Sequence, residues 1–422
     1  MLLLKLNLFI YRLFINFYFS TISLIGIFHS KAHKFSEGRR NFFHQLKADF
    51  SKDNYVIWFH AASLGEFEQG RPIIELIKNN HPEVKILLSF FSPSGYEQRK
   101  NYQFADRVCY LPADNPSHAS KFVAVFHPDL AVFIKYEIWY YYFKELKCKN
   151  IPLIMISSVF RNNQILFKPW APMFKATLQC VHHFFVQNEE SVTLLKQIGF
   201  SNTTLAPDSR IDRVNQISGE PLDNSFDSIK TFTDGQLCLI AGSSYITEEK
   251  YIASFLKTNH FEGKVIIAPH HVSENRIHEI EKLFPGISVR WSLISDSRLL
   301  KSSKILIIDT IGLLSRIYKF GDIAFIGGGF NNGIHNTLEP AAYGLPVIFG
   351  PKNFHKFPEA CQMLKLQAAF KIRTRQEFNS TLNLLLDESK RKMAGKMARS
   401  FIDNNLGGSF PIFNYLQKYF LT

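Results

Sequence analysis

The stretch AFIGGGFNNGIHNTLEPAAYGLPVIFGP, residues 324–351, constrains the fold of this 422-residue chain more than any other. It opens with a short apolar run that is typical of a buried parallel strand, and three consecutive glycines follow. Asn336 suits the N-cap of a helix over residues 337–343, which Gly344 ends before a second strand. Because open α/β sheets bind anions and nucleotides where a loop leads into a helix N-terminus, we expect a ligand site here.

Short apolar strands alternate with helical stretches in two parts of the chain. In the first part, residues 55–61 and 84–90 are strand-like, and a helix is expected between them over residues 67–79. A second series follows a polar segment, residues 208–234, which we interpret as a linker. This alternation predicts two parallel sheets of Rossmann type. We expect an N-terminal segment over residues 1–30 and Rossmann-like domains over residues 31–215 and 216–422, with a final helix that can pack back on the first domain.

The chain is basic, with 49 Lys and Arg against 36 Asp and Glu and a formal charge of +13. Such a charge suits anionic lipid, phosphorylated substrates or nucleic acid. The sequence contains no long Lys/Arg block and no aromatic-and-basic recognition motif, so we expect no nucleic-acid partner. An anionic membrane surface and a merely solvated basic surface remain as interpretations. The five cysteines are scattered without a C-x-x-C pair, which argues against a disulfide framework or a zinc site.

The first 28 residues are apolar and aromatic, interrupted by Lys5, Asn7, Arg12 and Asn16. The cleanest run, residues 13–28, is short for a membrane span of ~20 residues. The segment contains no evident small-x-small cleavage site, and the basic residues that follow it favour a cytoplasmic body. We expect a membrane-attached helix. A helix that docks on the protein is the alternative.

Further motifs occur in one order along most of the chain. They are WFHAASLGEFEQGRPII (58–74), YEIW (136–139), VQNEES (186–191), AGSS…EE (241–249), APHH (268–271) and DTIG (309–312), followed by the stretch at 324–351. Together they resemble the 3-deoxy-D-manno-octulosonic acid (Kdo) transferase family, whose members build the inner core of lipopolysaccharide from CMP-Kdo and a lipid A precursor. The resemblance implies a GT-B fold, with two Rossmann-like domains facing a cleft. It implies an inverting transfer that needs no metal or other cofactor.

The resemblance also implies the cellular location of the protein and the substrate that each domain binds. The enzyme would be attached to the cytoplasmic face of the inner membrane by its N-terminal segment. The first domain would hold the lipid A precursor and the second would hold CMP-Kdo.

Glu66 is the expected catalytic residue, because the family uses the glutamate of this S-x-G-E motif as proton acceptor. An acceptor hydroxyl must lose its proton as it attacks the anomeric carbon, and a positioned carboxylate typically contributes ~10²–10⁴-fold to such a step. Ser63 and Gly65 would support the motif. Ser63 and Glu66 also have the spacing of a capping box, in which the glutamate binds back to a backbone N–H.

The resemblance implies that the donor is held by three short motifs of the second half. Their residues are Pro269, His270, Ile311, Gly312, Leu313, Asn336, Thr337, Leu338 and Glu339. In the family the N-x-x-E element contacts the CMP moiety, and here Asn336 and Glu339 also have capping-box spacing. Two positions depart from the family, because His270 stands in place of an arginine and Leu313 in place of a glutamate.

Several residues of the first half allow two interpretations. Lys135 occupies the first acidic position of the family's E-x-E-x-W motif. Glu137 and Trp139 either line the acceptor side or close the start of a helix. Arg210 either reaches a phosphate or carboxylate, or forms an ion pair in the linker.

The same holds for two pairs in the second half. Ser243 and Ser244 suit a contact to phosphate or sugar carboxylate, and equally a helix N-cap. His271 adjoins His270 and either supports the donor or belongs to an ordinary loop. Adjacent histidines can mark a metal site, but the sequence offers no third ligand at suitable spacing, so we expect no metal.

The leading functional interpretation is Kdo transfer from CMP-Kdo to a lipid A precursor of the lipid IVA type. Another GT-B glycosyltransferase with a UDP-sugar donor is one alternative, and release of CMP or UDP separates the two. A non-catalytic membrane-bound module that binds lipid or nucleotide is the other alternative. The presence of Glu66 favours an enzyme over that module.

Overall fold

The computed structural model describes residues 2–40, 42–45, 50–259, 261–294 and 297–421. The chain splits into two compact units. Unit 1 comprises Met1–Asp212 and Gly407–Thr422, and unit 2 comprises Arg213–Leu406. The last helix, which lies at the end of the predicted second domain, thus belongs to unit 1.

Unit 1 is an alternation of strands and helices. Its strands are β1 (Val56–Ala61), β2 (Lys85–Phe90), β3 (Arg107–Tyr110), β4 (Leu130–Ile134), β5 (Leu153–Ser158), β6 (His183–Val186) and β7 (Thr203–Leu205). Its helices are α1 (Leu2–Ile25), α2 (Ser30–Glu37), α3 (Phe42–Gln45), α4 (Leu64–Asn80), α5 (Pro93–Arg99), α6 (Pro116–Phe126), α7 (Tyr140–Cys148), α8 (Pro172–Leu178) and α9 (Glu189–Gln197). The boundary between the units falls within α10 (Arg210–Gly219).

Unit 2 repeats this alternation, and the chain then returns to unit 1. The strands of unit 2 are β8 (Cys238–Ser244), β9 (Lys264–Pro269), β10 (Ser288–Arg290), β11 (Ile305–Ile307), β12 (Ile323–Ile326), β13 (Val347–Phe349) and β14 (Ala369–Lys371). The helices of unit 2 are α11 (Asp227–Thr233), α12 (Ile246–Thr258), α13 (Glu274–Leu283), α14 (Ser297–Ser302), α15 (Leu314–Ile317), α16 (Leu338–Ala342), α17 (Pro358–Lys365), α18 (Arg375–Leu386) and α19 (Glu388–Asn404). The final helix, α20 (Ser409–Phe420), lies in unit 1.

Among the described residues, each unit contains one seven-stranded sheet, ordered β3-β2-β1-β4-β5-β6-β7 and β10-β11-β9-β8-β12-β13-β14. All of the pairings are parallel; β1 lies between β2 and β4, and β8 lies between β9 and β12. The strand order therefore reverses beside β1 and beside β8. In open α/β sheets such a switch point, outside the carboxyl ends of the strands, is where ligands bind.

The strands form because their sequences are apolar on both faces. Every residue of β1 is buried, as expected for a central strand of a sheet covered by helices. Successive residues of β1 alternate between two cores, with Trp58 in the core on one face and Ile57 and Phe59 in the core on the other. The sheet is thereby fixed in one orientation, because a shift by one residue would exchange the two faces.

Helix α1 docks on unit 1 and keeps an apolar outer face. The Tyr11 hydroxyl donates to Asp114 Oδ2 at 2.5 Å, and the Tyr18 ring stacks on Phe91 with centroids 6.1 Å apart. On the outer face, Leu13 and Phe17 are 54% and 72% exposed. By length and composition α1 could cross a membrane, and the exposed apolar face fits membrane association. The docking and membrane interpretations of the segment are therefore compatible.

The C-terminal helix α20 packs on α4 and contributes Ile412 and Leu416 to the core of unit 1. The Asp212 carboxylate fixes its start, since it accepts hydrogen bonds from the N–H groups of Gly407 at 2.6 Å and Ser409 at 2.7 Å. A carboxylate at this position satisfies backbone donors that a helix leaves without partners.

Three local predictions were wrong in extent. The helix expected over residues 67–79 begins at Leu64, so that Glu66 lies in its first turn. The predicted linker, residues 208–234, contains α10 and α11. The helix expected over residues 337–343 is only Leu338–Ala342, and its N-cap is Thr337 rather than the expected Asn336.

Candidate active site

Glu66 lies at the β1–β4 switch point of unit 1, at the head of α4. Its Oε2 accepts a hydrogen bond from the Ala62 N–H at 2.6 Å. Ser63 has the extended backbone of an N-cap, φ −145° and ψ 171°, but its side chain makes no capping hydrogen bond. The serine half of the expected capping box is therefore not formed, and the glutamate binds the backbone one residue before the cap. Gly65 is exposed, and a Cβ there would meet nothing within 4 Å, so the backbone beside Glu66 is open.

Glu137 follows β4 and shares this switch point with Glu66. Burial raises the pKa of Glu66, against the opposing effects of the Lys135 charge and of the Ala62 and Ser63 N–H groups. Burial, and then the charge of Glu66, raise the pKa of Glu137 to about 8. Two neighbouring carboxyls of this kind cannot both ionise easily. Because the charge of Glu66 adds to burial in raising the pKa of Glu137, the proton of this pair lies on Glu137.

Lys135 supplies a positive charge to this pair, although the family resemblance leads one to expect an acid at its position. It follows β4 with φ 64°, in the left-handed region that non-glycine residues rarely adopt. Its N–H donates to the Ile156 carbonyl at 2.8 Å, and its own carbonyl accepts from the Ser158 hydroxyl at 2.5 Å. The neighbouring strand β5 thus holds this backbone. Strained residues of this kind cluster at functional sites.

A buried histidine that the sequence did not single out positions Trp139. The Trp139 indole N–H donates to His60 Nε2 at 3.2 Å, and His60 Nδ1 lies 2.8 Å from Ser89 Oγ, which also accepts from the Trp58 indole at 2.7 Å. Burial lowers the pKa of His60 to about 3, so the ring is neutral, and its Nδ1 carries the proton because Nε2 is an acceptor. Trp139 is the N-cap residue of α7, which fits the helix-start interpretation. Its indole also forms a hydrogen bond with the Glu137 carboxylate, which opposes the rise in the pKa of that group.

Arg210 forms an ion pair with Asp208. Its Nη2 lies 2.5 Å from Asp208 Oδ2, and its Nε lies 3.1 Å and 3.0 Å from the two carboxylate oxygens. Burial tends to raise the pKa of Asp208, but the charge and hydrogen bonds of Arg210, with the Lys135 charge, hold it below its usual value. The geometry fits the ion-pair interpretation of Arg210.

In unit 2, Glu248 joins the two strands of the switch point. Its carboxylate accepts from the Tyr245 N–H after β8 at 3.2 Å and from the Gly328 N–H after β12 at 2.9 Å. Burial raises the pKa of Glu248 to about 7. The side chain therefore ties together the loops that leave β8 and β12.

Ser243 and Ser244 do not cap α12, because the cap is Tyr245. That interpretation of the two serines was wrong. Ser244 is buried and its hydroxyl donates to Glu249 Oε1 at 2.7 Å, while Ser243 adopts a left-handed backbone with φ 51°. One residue more than expected, Tyr245, therefore lies between the two serines and the start of α12.

The three glycines of residues 327–329 are explained by packing of backbone on backbone. A Cβ at Gly327 would lie 2.0 Å from the Ser243 carbonyl oxygen, and one at Gly329 would lie 2.5 Å from the Gly350 nitrogen. The close approach inferred from the sequence is therefore to neighbouring strand ends. It requires no ligand.

Aromatic rings gather at the carboxyl ends of β8, β9 and β12. The His270 and His335 rings stack with centroids 4.2 Å apart, Tyr245 stacks on His270 at 5.1 Å, and His271 meets His270 edge-on at 4.5 Å. His270 directly follows Pro269, the last residue of β9. Burial and the neighbouring His271 lower the pKa of His270, and burial with the other two histidines lowers that of His335 to about 4. The His270 and His335 rings are therefore neutral at pH 7. Within the described ranges, no group of three or more His, Cys, Asp or Glu is arranged to hold a metal ion.

The N-x-x-E element is held by its own side chains. The Asn336 Oδ1 accepts from the Leu338 N–H, and the Asn336 amide donates to Glu339 Oε1, both at 3.0 Å. Thr337 is 1% exposed, and its hydroxyl has no hydrogen-bond partner among the described residues. Buried hydroxyls normally have partners, so this atom is suited to meet a polar ligand group.

Residues 311–313 form an exposed turn between β11 and α15. Ile311 is 88% exposed, Gly312 has φ 97°, and Leu313 immediately precedes the helix. The turn lies on the far side of β9 from β8 in the sheet order. It offers mainly backbone groups to a ligand.

Comparisons with known proteins concern the family and the fold of this chain. Residues 36–213 match the family model described as 3-deoxy-D-manno-octulosonic-acid transferase (kdotransferase). The chain is 26% identical over 362 residues to the 3-deoxy-D-manno-octulosonic acid transferase of Aquifex aeolicus, which covers 82% of this chain and 92% of that protein. It is 25% identical over 384 residues to the protein of the same name from Haemophilus influenzae, covering 86% and 87% of the two chains.

Among solved structures, UDP-GlcNAc 2-epimerase from Neisseria meningitidis bound to UDP-GlcNAc is similar, with a TM-score of 0.59 and 14% identity. The match covers 86% of this chain and 100% of that chain. At this identity the likeness concerns the fold, and together with the two parallel sheets it confirms the predicted GT-B class. The family model matches residues 36–213 and the relatives cover more than four fifths of the chain, which confirms the resemblance to the Kdo transferase family; the chain is a glycosyltransferase.

Proposed function

We propose that this glycosyltransferase moves Kdo from CMP-Kdo to a lipid A precursor of the lipid IVA type, with inversion, at the cytoplasmic face of the inner membrane. The observation that carries the proposal is the state of Glu66. It is a carboxylate bound to the Ala62 N–H, beside a second carboxyl and a lysine, at a switch point of unit 1. The names of the relatives support Kdo as the transferred sugar.

Glu66 acts as the general base. The acceptor hydroxyl attacks the anomeric carbon of Kdo, its proton passes to the Glu66 carboxylate, and the bond to the CMP phosphate breaks with its electron pair leaving on CMP. A base is most effective when its pKa lies near the working pH, and burial moves the pKa of Glu66 in that direction. Glu137, with its pKa raised further, stays protonated and does not compete for the proton.

Unit 2 binds the donor at the carboxyl ends of β8, β9 and β12. The imidazoles of His270, His271 and His335 are hydrogen-bond donors for the phosphate or the sugar carboxylate, in place of the family's arginine. The Glu339 carboxylate suits the ribose hydroxyls, and Asn336 orients it through their 3.0 Å hydrogen bond. Further donor contacts come from the residues around them. These are Pro269, Ile311, Gly312, Leu313, Thr337 and Leu338.

Membrane attachment is supported by α1 and the net charge. The outer face of α1 is apolar, and the chain carries a formal charge of +13, which favours an anionic surface.

The test is a transfer assay with the full-length protein in detergent. CMP-Kdo and a lipid A precursor are supplied, the product mass is read by mass spectrometry, and the released nucleotide is identified by ³¹P NMR. We expect CMP and an acceptor heavier by whole Kdo residues. Turnover of a UDP-sugar with release of UDP, and none of CMP-Kdo, would instead establish the alternative donor.

A further inference from the structure

A cavity of about 300 Å³ separates α1 from the β1–β4 switch point of unit 1. One side of it is formed by α1 through Tyr11, Phe14, Ile15 and Tyr18. The other side includes Trp139 and the residues around it. The volume is at the lower end of the range of small-molecule sites, which are mostly apolar with a few placed polar groups.

The polar part of this lining belongs to the candidate active site. Ala62 lines the cavity, and its N–H holds the Glu66 carboxylate at 2.6 Å. Glu137, the carboxyl that neighbours Glu66, lines it as well. An apolar ligand in this cavity therefore lies directly beside the proposed catalytic base.

The apolar part of the lining continues onto the outer face of α1. Phe14 lines the cavity and is also 59% exposed, and Leu13 and Phe17 next to it are exposed by 54% and 72%. Ile15, one residue on, is 4% exposed. Phe14 thus stands where the outer surface of the helix turns into the cavity.

The helix is held in place along its length, so the cavity has a fixed wall. Tyr11 is bonded to Asp114, which in turn accepts from the N–H groups of Tyr141 and Tyr142 at 3.1 Å. One turn beyond Ile15, Tyr18 stacks on Phe91, another residue of the lining. A helix fastened to the body through its middle keeps its apolar outer face exposed.

We propose that this cavity binds an acyl chain of the lipid acceptor and so brings the sugar hydroxyl of the same molecule to Glu66. The identity of the lipid rests on the proposed function. The reasoning is that a lipid acceptor must place an apolar chain and a reactive hydroxyl close together. The cavity provides one surface that runs from the exposed Phe14 to Glu137, the neighbour of Glu66.

The test uses Trp139 as a probe of occupancy. An amphiphile with bromines on its acyl chain is titrated into the full-length protein in cholate, a detergent without a straight acyl chain, and indole fluorescence is measured. We expect saturable quenching that is lost in Trp139→Phe, which leaves the other three tryptophans. Absence of any quenching that depends on Trp139 would overturn the proposal.

Two matched charge variants locate the chain. Phe14→Asp places a carboxylate in the lining, whereas Phe17→Asp places one on the same exposed face outside it. We expect Phe14→Asp to raise the half-quenching concentration roughly tenfold, since a charge disfavours an apolar ligand, and Phe17→Asp to change it by less than about twofold. Equal effects of the two variants would show a nonspecific apolar surface and overturn the proposal.

Kinetics with two acceptors separate this inference from the proposed function. In detergent, Phe14→Asp is expected to raise the KM of the acylated acceptor roughly tenfold and to leave unchanged that of an acceptor stripped of its acyl chains. An equal rise for both acceptors would refute the acyl-chain site. If the unmodified enzyme transfers Kdo to neither acceptor, the proposed function fails, while quenching of Trp139 still reports on the cavity.

Discussion

Replacement of Glu66 by Gln isolates the chemical role of this side chain from its role at the head of α4. The amide oxygen of glutamine can still accept the hydrogen bond that the Ala62 N–H donates at 2.6 Å. The side chain keeps its size, and the substitution removes a buried negative charge next to Glu137. We therefore expect Glu66→Gln to fold and to keep its melting temperature within a few degrees.

The expected loss lies in turnover. A general base contributes ~10²–10⁴-fold, which corresponds to about 2.7–5.5 kcal/mol of barrier height, so kcat should fall by that factor. The donor KM should not change, because the proposed donor residues lie in unit 2. The base must be ionised, so wild-type kcat falls as the pH drops through the pKa of Glu66. Because burial raises that pKa, the fall begins closer to neutral pH than for an ordinary glutamate.

The assay is CMP release at saturating CMP-Kdo and acceptor from pH 5 to 9, with circular dichroism melting of each variant. Glu68→Gln is the matched control, because Glu68 lies on the same helix and forms half-exposed ion pairs with Arg71 at 3.5 Å and Arg99 at 2.8 Å. Such pairs contribute about 0–1 kcal/mol to stability, and we expect turnover within about twofold of the wild type. If Glu66→Gln also keeps turnover within about threefold, Glu66 is a helix cap and not the base.

Three further predictions concern other parts of the molecule. Because the pKa of Glu137 is raised to about 8, the wild-type native state loses stability as the pH rises from 4.5 towards 8. Glu137→Gln should therefore match the wild-type Tm at pH 5 and exceed it by roughly 5 °C at pH 8.5. Equal Tm values of the two proteins at both pH values would contradict this. Because burial and His271 hold the pKa of His270 below its ordinary value, donor KM should tighten as the pH falls from 7 to 5, and His270→Arg should remove that tightening, since arginine stays charged; an unchanged pH dependence would count against a phosphate contact. Asp212→Ala should cost about 1–2 kcal/mol in the free energy of unfolding and expose α20 to proteolysis, measured by denaturant titration and limited trypsin digestion.

The sequence predicts those features that short segments encode. The apolar run of β1 and the Ser63-Leu64-Gly65-Glu66 turn lie next to each other in the chain, and so a strand leading to a helix with a glutamate in its first turn could be read directly. Parallel pairing follows from the alternation of strands and helices, whereas the position of the switch point depends on the strand order, which the alternation does not fix. The glycines of residues 327–329 could be read as a close approach, but the partner backbone, at Ser243 and Gly350, could not.

The features that the sequence did not predict depend on residues far apart in the chain. His60 and Trp139 are 79 positions apart, and Glu248 and Gly328 are 80 apart, so neither contact has a local signal. The left-handed backbone at Lys135 is set by its bonds to Ile156 and Ser158 on the neighbouring strand. The sequence could show that an acid had become a lysine there. It could not show that the positive charge of this lysine affects the pKa of two carboxyl groups.

Two elements of this chain have the spacing of a capping box, and they show why spacing alone cannot separate a cap from a site. At Ser63 and Glu66 the glutamate binds the backbone and the serine side chain does not, whereas at Asn336 the amide oxygen binds the backbone and the amide nitrogen binds Glu339. In both cases these hydrogen bonds hold a carboxylate in place and leave it next to the other residues of the site. What distinguishes Glu66 from Glu68 two residues later is the charge around each side chain: Glu66 lies beside Glu137 and Lys135, whereas Glu68 pairs with two arginines. The chemistry of a capping glutamate is therefore decided by the strand ends around it, and here those belong to β1 and β4.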